Sequence, residues 1–171
     1  MNQIVLTGFM GAGKSTVGKI LAKELVLPLV DIDTEIEAKH QTSITEIFAN
    51  LGESVFRNIE HQILVSALSR DAIISTGGGI ILSKDNRMQL GTANFVVYLK
   101  TSPSIFLNRL KGDTTRPLIQ EKSKEEITAL FESRTELYEE VADLILETDN
   151  LTPMEVAKII KQDFQKRKEQ L

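Results

Sequence analysis

Gly8-Phe9-Met10-Gly11-Ala12-Gly13-Lys14-Ser15, followed by Thr16, satisfies the pattern GxxxxGK[ST] in full. Glycines at these spacings let successive backbone N–H groups converge on one point as an anion nest. A helix starting there adds its free N–H groups and the positive end of its dipole. Lys14 can then reach the β- and γ-phosphates of a nucleoside triphosphate, and the Ser15 hydroxyl can bind Mg²⁺. The bland alternative, a glycine-rich turn that merely caps a helix, would have to meet four fixed positions by chance. DxxG and NKxD, the second of which reads guanine, are absent. ATP is therefore the expected nucleotide.

Further along, Val30-Asp31-Ile32-Asp33 ends an apolar run. In extended chain residues i and i+2 share a face, so Asp31 and Asp33 are expected to aim together toward the phosphate cradle. One carboxylate can hold Mg²⁺, directly or through water, and the other can take a proton from an attacking hydroxyl. The alternative is a pair of caps for a helix starting at Thr34, which is compatible with the first reading. Arg57 follows on the flank of a helix opened by Leu51–Glu60, between Glu53 at i−4 and Glu60 at i+3. Spacing alone makes these three a surface ion-pair cluster contributing under ~1 kcal/mol. Arg134 differs, because it falls inside the apolar stripe of Leu130, Phe131 and Tyr138. A guanidinium there needs a partner, either an internal carboxylate or an anionic ligand held by two parallel hydrogen bonds. Thr76-Gly77-Gly78-Gly79 ends a buried run with three glycines, which permits a ligand to touch backbone. Arg116, in a polar stretch, could close over phosphates or simply be exposed.

These residues need a scaffold. With 171 residues the chain is about the size of one domain. A hydrophobic fraction of 42 % and a charged fraction of 26 % suit a globular fold, and no apolar run approaches the ~20 residues of a membrane span. No secretory signal pattern is expected from Met1-Asn2-Gln3-Ile4. The absence of cysteine excludes disulfide, thiolate and zinc–sulfur chemistry, and two histidines argue against a multi-histidine metal centre. A net charge of −4 argues against broad nucleic-acid binding. Non-alternating apolar runs predict strands at Gln3–Thr7, Leu27–Asp31, Ala72–Thr76, Asn94–Leu99 and Asp143–Glu147, buried on both faces as in a parallel sheet. Amphipathic helices are expected at Lys14–Leu25 and Ile127–Val141, giving an α/β sandwich with its ligands beyond the carboxyl ends of the strands. Thr34–Ser69 reads as a helical insertion, and Lys111–Lys124 as a polar loop able to act as a lid. The lysine-rich stretch Lys158–Lys168 reads as the charged face of a last helix. His40 and His61 read as solvated helix residues.

Taken together, GFMGAGKSTVGK, the Asp31/Asp33 pair, GExxFRxxE from Gly52 to Glu60, Thr76-Gly77-Gly78-Gly79, Arg116-Pro117-Leu118 and RxxLYxEVAD from Arg134 resemble the shikimate kinase family, in order from Gly8 to about Asp143. The resemblance implies a parallel five-stranded sheet of the nucleoside monophosphate kinase type in one P-loop domain, with a helical acceptor-binding part and a lid. It implies transfer of the ATP γ-phosphoryl group to the 3-hydroxyl of shikimate, with one Mg²⁺, in the cytoplasm, by a monomer that engages neither nucleic acid nor membrane. By position, Gly11, Ala12, Gly13, Lys14, Ser15 and Thr16 would bind the phosphates, Ser15 the metal, and Asp31 the metal through water. Asp33 would hold the acceptor hydroxyls and serve as base. Arg57 and Arg134 would bind the carboxylate, Gly78 would touch the acceptor, and Phe48 and Phe56 would wall it. Lys14 and Arg116 would act on the transferring group, and Arg109 would flank adenine. Some family members carry an arginine near the position of Asn150–Leu151, and this chain does not. Rival readings are a kinase for another polyol acid such as gluconate, and a nucleotide-binding module without turnover.

Overall fold

A computed structural model of the chain describes residues 2–111 and 122–170. Five parallel strands form one sheet: β1 (Gln3–Thr7), β2 (Leu29–Asp31), β3 (Ala72–Ser75), β4 (Val96–Lys100) and β5 (Leu144–Glu147), in the order β2-β3-β1-β4-β5. β1 lies in the middle, paired with β3 from Gln3↔Ala72 and with β4 from Val5↔Val96. From β1 the chain goes out to β2 on one side, and only after β3 does it cross to β4 and β5. Connections therefore diverge at the carboxyl end of β1, where such sheets open a crevice.

Strand alternation builds two cores. Val5, Val30, Ile74, Val96 and Tyr98 face one side. Against them pack α3 (Ile44–Leu68), α4 (Lys84–Leu90) and α6 (Lys124–Val141). Ile4, Leu6, Ile73, Val97 and Leu99 face the other side, under α1 (Lys14–Leu25) and α7 (Pro153–Glu169). The remaining helices are α2 (Ile32–His40) and α5 (Pro103–Leu110).

Several boundaries differ from the sequence expectation, each for a local reason. β2 starts at Leu29, because Pro28 offers the sheet only a carbonyl, taken by the Ile73 N–H at 2.9 Å. β3 stops at Ser75, where Thr76 turns its hydroxyl to the Leu6 carbonyl at 2.9 Å. β4 runs Val96–Lys100, shifted from Asn94–Leu99, and β5 starts one residue late, at Leu144, because the Val96 N–H donates to the Asp143 side-chain Oδ2 at 2.8 Å where the two strands begin. α6 begins at Lys124 rather than Ile127, since Ser123 and Glu126 form a capping box there, a feature that contributes ~1 kcal/mol. Residues 34–69 are almost wholly helical as expected, with α2 and α3 separated only by residues 41–43, and Gly52 (φ 82, ψ 168) breaks α3 into two arms. The largest departure concerns Asp31 and Asp33. The strand ends at Asp31 and α2 begins at Ile32, not Thr34, so the two carboxylates are not alternate residues of one extended strand.

Candidate active site

The loop between β1 and α1 forms the phosphate cradle. Gly8 crosses so close to β4 that a Cβ there would lie 2.7 Å from the Leu99 carbonyl oxygen, and Gly13 caps α1 at φ 92. Lys14 is 8 % exposed, with its ammonium donating to the carbonyls of Gly8 at 2.7 Å and Phe9 at 3.0 Å. The loop thus holds its own lysine across the nest. Asp31 divides its two oxygens. Oδ1 caps α2, accepting from the Thr34 N–H at 3.1 Å, while Oδ2 accepts from the Ser15 hydroxyl at 3.0 Å. The capping and metal-side readings therefore apply to different oxygens of one carboxylate. Ser15 and Asp31 together offer the hard oxygen donors that suit Mg²⁺, and both line a cavity of about 270 Å³ with Gly13, Lys14, Thr16 and Asp33. Among the described residues no cluster of three or more His, Cys, Asp or Glu could hold a metal by itself. An ion here would need ligands from a bound phosphate or water.

Arg109, from α5, donates to the Gly11 carbonyl at 2.9 Å and joins a slot of about 180 Å³ with Ala12, Thr16, Leu151 and Pro153. Leu151 thus lines the slot near the position where some relatives carry arginine.

Beyond the cradle lies a second cavity, of about 300 Å³. Asp33, in the first turn of α2, faces both cavities, and so do Gly77 and Gly78 after β3. Phe48 and Phe56, one from each arm of α3, meet at 4.6 Å between ring centroids and form an apolar wall. Beside that wall, with the Arg57 guanidinium 5.1 Å from the Phe56 ring centroid, the charges are arranged unlike a surface cluster. Glu60 is 1 % exposed and accepts both of its short bonds, at 2.6 and 2.8 Å, from Arg57 Nη1. Glu53 is the exposed partner, at 3.3 Å from Nη2. Burial pushes the Glu60 carboxyl up to about 7; the Asp33 charge adds to the shift, and the Arg57 cation opposes it. The expected surface ion pair is thereby corrected: Arg57 lines the cavity, held by a carboxylate at its back.

Arg134, on α6, is 5 % exposed and lines the same cavity. Among the described residues no carboxylate makes a direct ion pair with it. Its Nη1 donates to the Gly78 carbonyl at 3.4 Å, its Nε reaches no acceptor, and the guanidinium lies 5.8 Å from the Phe9 ring centroid. Of the two partners open to it on sequence grounds, no carboxylate of the described residues is in ion-pair contact, the Glu60 charge acting on it only across the cavity, and room for an anionic ligand is present. Tyr138, one turn on, also donates to the Gly78 carbonyl, with its ring stacked on Tyr98.

Every expected site residue among those described lines one of the three cavities. Arg116 and most of the expected lid, residues 112–121, lie outside the described residues. His40 is exposed as expected; His61 is not free in solvent but pairs with Asn86. Glu60 and Met10 also line the acceptor-side cavity and Tyr138 holds its Gly78 carbonyl, none of them expected from sequence as site residues. Glu60 carried a signal, since it shares a helical face with Phe56 and Ile63.

Known proteins of similar sequence and fold point to one family. The family profile described as Shikimate kinase matches residues 10–165. A shikimate kinase of Bacillus mycoides (strain KBAB4) is 43 % identical over 162 residues, covering 95 % of this chain and 98 % of that protein. One from Enterococcus faecalis (strain ATCC 700802 / V583) is 43 % identical over 166 residues, covering 96 % and 99 %. Among solved structures, shikimate kinase from Acinetobacter baumannii in complex with shikimate superposes with a TM-score of 0.93 at 39 % identity, over 98 % of this chain and 95 % of that one.

Proposed function

The chain belongs to the shikimate kinase family, and on that premise we propose that it transfers the γ-phosphoryl group of ATP to the 3-hydroxyl of shikimate, giving shikimate 3-phosphate and ADP on the route to aromatic amino acids. The observation that carries the reading is the wall common to the two cavities: Asp33, Gly77 and Gly78 face the phosphate cradle on one side and the Arg57/Arg134 cavity on the other. A group bound by its carboxylate at the arginines presents its far hydroxyl at Asp33. Asp33 accepts the hydroxyl proton as the oxygen bonds to the γ-phosphorus and the bond to the β-phosphate oxygen breaks. Lys14 and the N–H groups of residues 11–16 stabilise charge on the phosphates as it develops. Ser15 and Asp31 would hold Mg²⁺, which supplies charge neutralisation on the phosphate oxygens when bound. Arg57 and Arg134 fix the acceptor, Phe48 and Phe56 exclude water from its ring, and Arg109 flanks the nucleotide base. In this reading residues 34–69 are the acceptor-binding part of a single domain. The protein works as a cytoplasmic monomer with one Mg²⁺ and needs no nucleic acid or membrane. No helix among the described residues is long and apolar enough to cross a membrane.

The test is a coupled ADP-release assay. Turnover is expected only with shikimate and Mg²⁺ together, and gluconate should not replace shikimate. Equal ATP turnover with and without shikimate would overturn the assignment.

A pH effect follows from Glu60. Its carboxyl, at about 7 in the fold against an ordinary 4.5, holds its proton more tightly than in the unfolded chain. Stability from this group is therefore greatest below 4.5 and is lost as pH rises toward 7. Protonation removes a negative charge beside Arg57 while Arg134 stays cationic, so the acceptor carboxylate is held more tightly. The KM for shikimate should fall several-fold from pH 8 to pH 6. Glu60→Gln should flatten that change, and an unaltered profile in this variant would show that another group titrates.

A further inference from the structure

The acceptor cavity draws on elements far apart in sequence, and two of them touch without any slack. A Cβ on Gly79 would lie 2.5 Å from Arg57 Nη2, so the guanidinium rests directly on the glycine backbone. The spacing between α3 and the glycine turn therefore sets where Arg57 points. Gly77 and Gly79 accept from the N–H groups of Ile80 and Leu82, at 3.2 and 3.1 Å, so the turn moves as one piece with residues 80–82. That piece is tied back to α3 by a chain of side-chain bonds outside the cavity. Asn86, on α4 and 0 % exposed, donates from Nδ2 to the Ile80 carbonyl at 3.0 Å, and its Oδ1 lies 2.7 Å from His61 Nδ1. His61 follows Glu60 directly and stands one turn from Arg57.

The amide orientation is determined by chemistry. A carbonyl cannot donate, so the Asn86 atom facing Ile80 must be the NH₂ group, and the one facing His61 must be the acceptor oxygen. His61 therefore carries hydrogen on Nδ1. We propose that His61 is a positioning residue: through Asn86 and Ile80 it braces the glycine turn against α3 and so holds Arg57 in register with the acceptor carboxylate. The proposal rests on the reading of this cavity as the acceptor site.

The test compares His61→Leu, which fills similar space without a donor, with His61→Asn, whose Nδ2 stands as many bonds from Cα as the histidine Nδ1. One hydrogen bond of ordinary strength corresponds to roughly a three- to tenfold effect. His61→Leu should raise the shikimate KM by about that factor with kcat and the ATP KM unchanged, and His61→Asn should restore it. An unchanged shikimate KM in His61→Leu, or parallel losses in both variants with both substrates, would overturn the brace. Wild-type enzyme is assayed alongside; no turnover of shikimate by it would instead overturn the functional reading. A second measurement needs no variant. Histidine ¹⁵N correlation spectra of the wild type at pH 8 should show His61 as the Nδ1–H tautomer, and the Nε2–H tautomer would refute the hydrogen-bond chain outright.

Discussion

Asp33→Asn lowers kcat by about 10²–10⁴-fold, the usual contribution of a general base, and leaves the KM for ATP nearly unchanged. The amide keeps the shape and can still hydrogen-bond an acceptor hydroxyl, but it cannot take the proton. The separation of effects follows from the loop geometry. In the proposed reading the nucleotide phosphates are met by the backbone of residues 11–16 and by Lys14, whose ammonium is already drawn to the Gly8 and Phe9 carbonyls. Lys14→Ala should by contrast damage the transfer step through lost charge stabilisation, whichever acceptor is used. Steady-state kinetics with each substrate varied in turn distinguishes the two. Near-normal kcat in Asp33→Asn would remove the proposed base.

Arg134→Ala lowers kcat/KM for shikimate by about 10–150-fold, the equivalent of roughly 1.5–3 kcal/mol for a charge-assisted hydrogen bond. Most of the loss falls in KM, because the carboxylate lies remote from the reacting hydroxyl and is bound equally before and during transfer. Thermal stability should hold or rise. The wild-type fold buries this cation with one long bond to Gly78 and an Nε that reaches no acceptor, so the folded state without ligand gives up little when it is removed. A shikimate analogue with a neutral hydroxymethyl group in place of the carboxylate provides the control. Wild type should turn it over poorly, and Arg134→Ala should be hardly worse with it. Equal losses with both acceptors would show that Arg134 does not read the carboxylate.

Much of this site was legible in the residues because its parts carry their own spacing rules. The phosphate loop is contiguous, so its pattern specifies both chemistry and backbone, and α1 runs over Lys14–Leu25 as its periodicity predicts. Arg134 announced itself as a charge in an apolar stripe, a local contradiction that only tertiary structure resolves. For Arg57, spacing alone points to a surface ion pair and only the family resemblance points to the site, for the complementary reason. Its spacing to Glu53 and Glu60 is that of an ordinary helical ion pair, and nothing local reveals that the turn after β3 lies against its guanidinium. Asp31 and Asp33 reached the expected place by an unexpected path. Asp31 ended the strand by capping the next helix, and helical rather than extended geometry brought Asp33 round to the cavity. The His61–Asn86 pair had no signal at all, since it joins residues separated by 25 positions.

The bend at Gly52 bears on how this pocket can change over evolutionary time. A straight helix of the 25 residues in α3 would extend about 37 Å and carry its first two turns past the cavity. The left-handed step at Gly52 folds the leading arm back so that Ile44, Thr45 and Phe48 line the wall, while the trailing arm keeps Arg57 and Glu60. In the proposed reading one side of the ring wall, with Thr45 and Phe48, thus sits on one arm of a kinked helix, and the Arg57 clamp, together with Phe56, on the other. Mutations in the leading arm can reshape that side of the ring pocket while the anion clamp and Phe56 stay in place. A lineage can explore new acids of the same charge by drifting in residues 44–51 alone, provided that position 52 remains glycine.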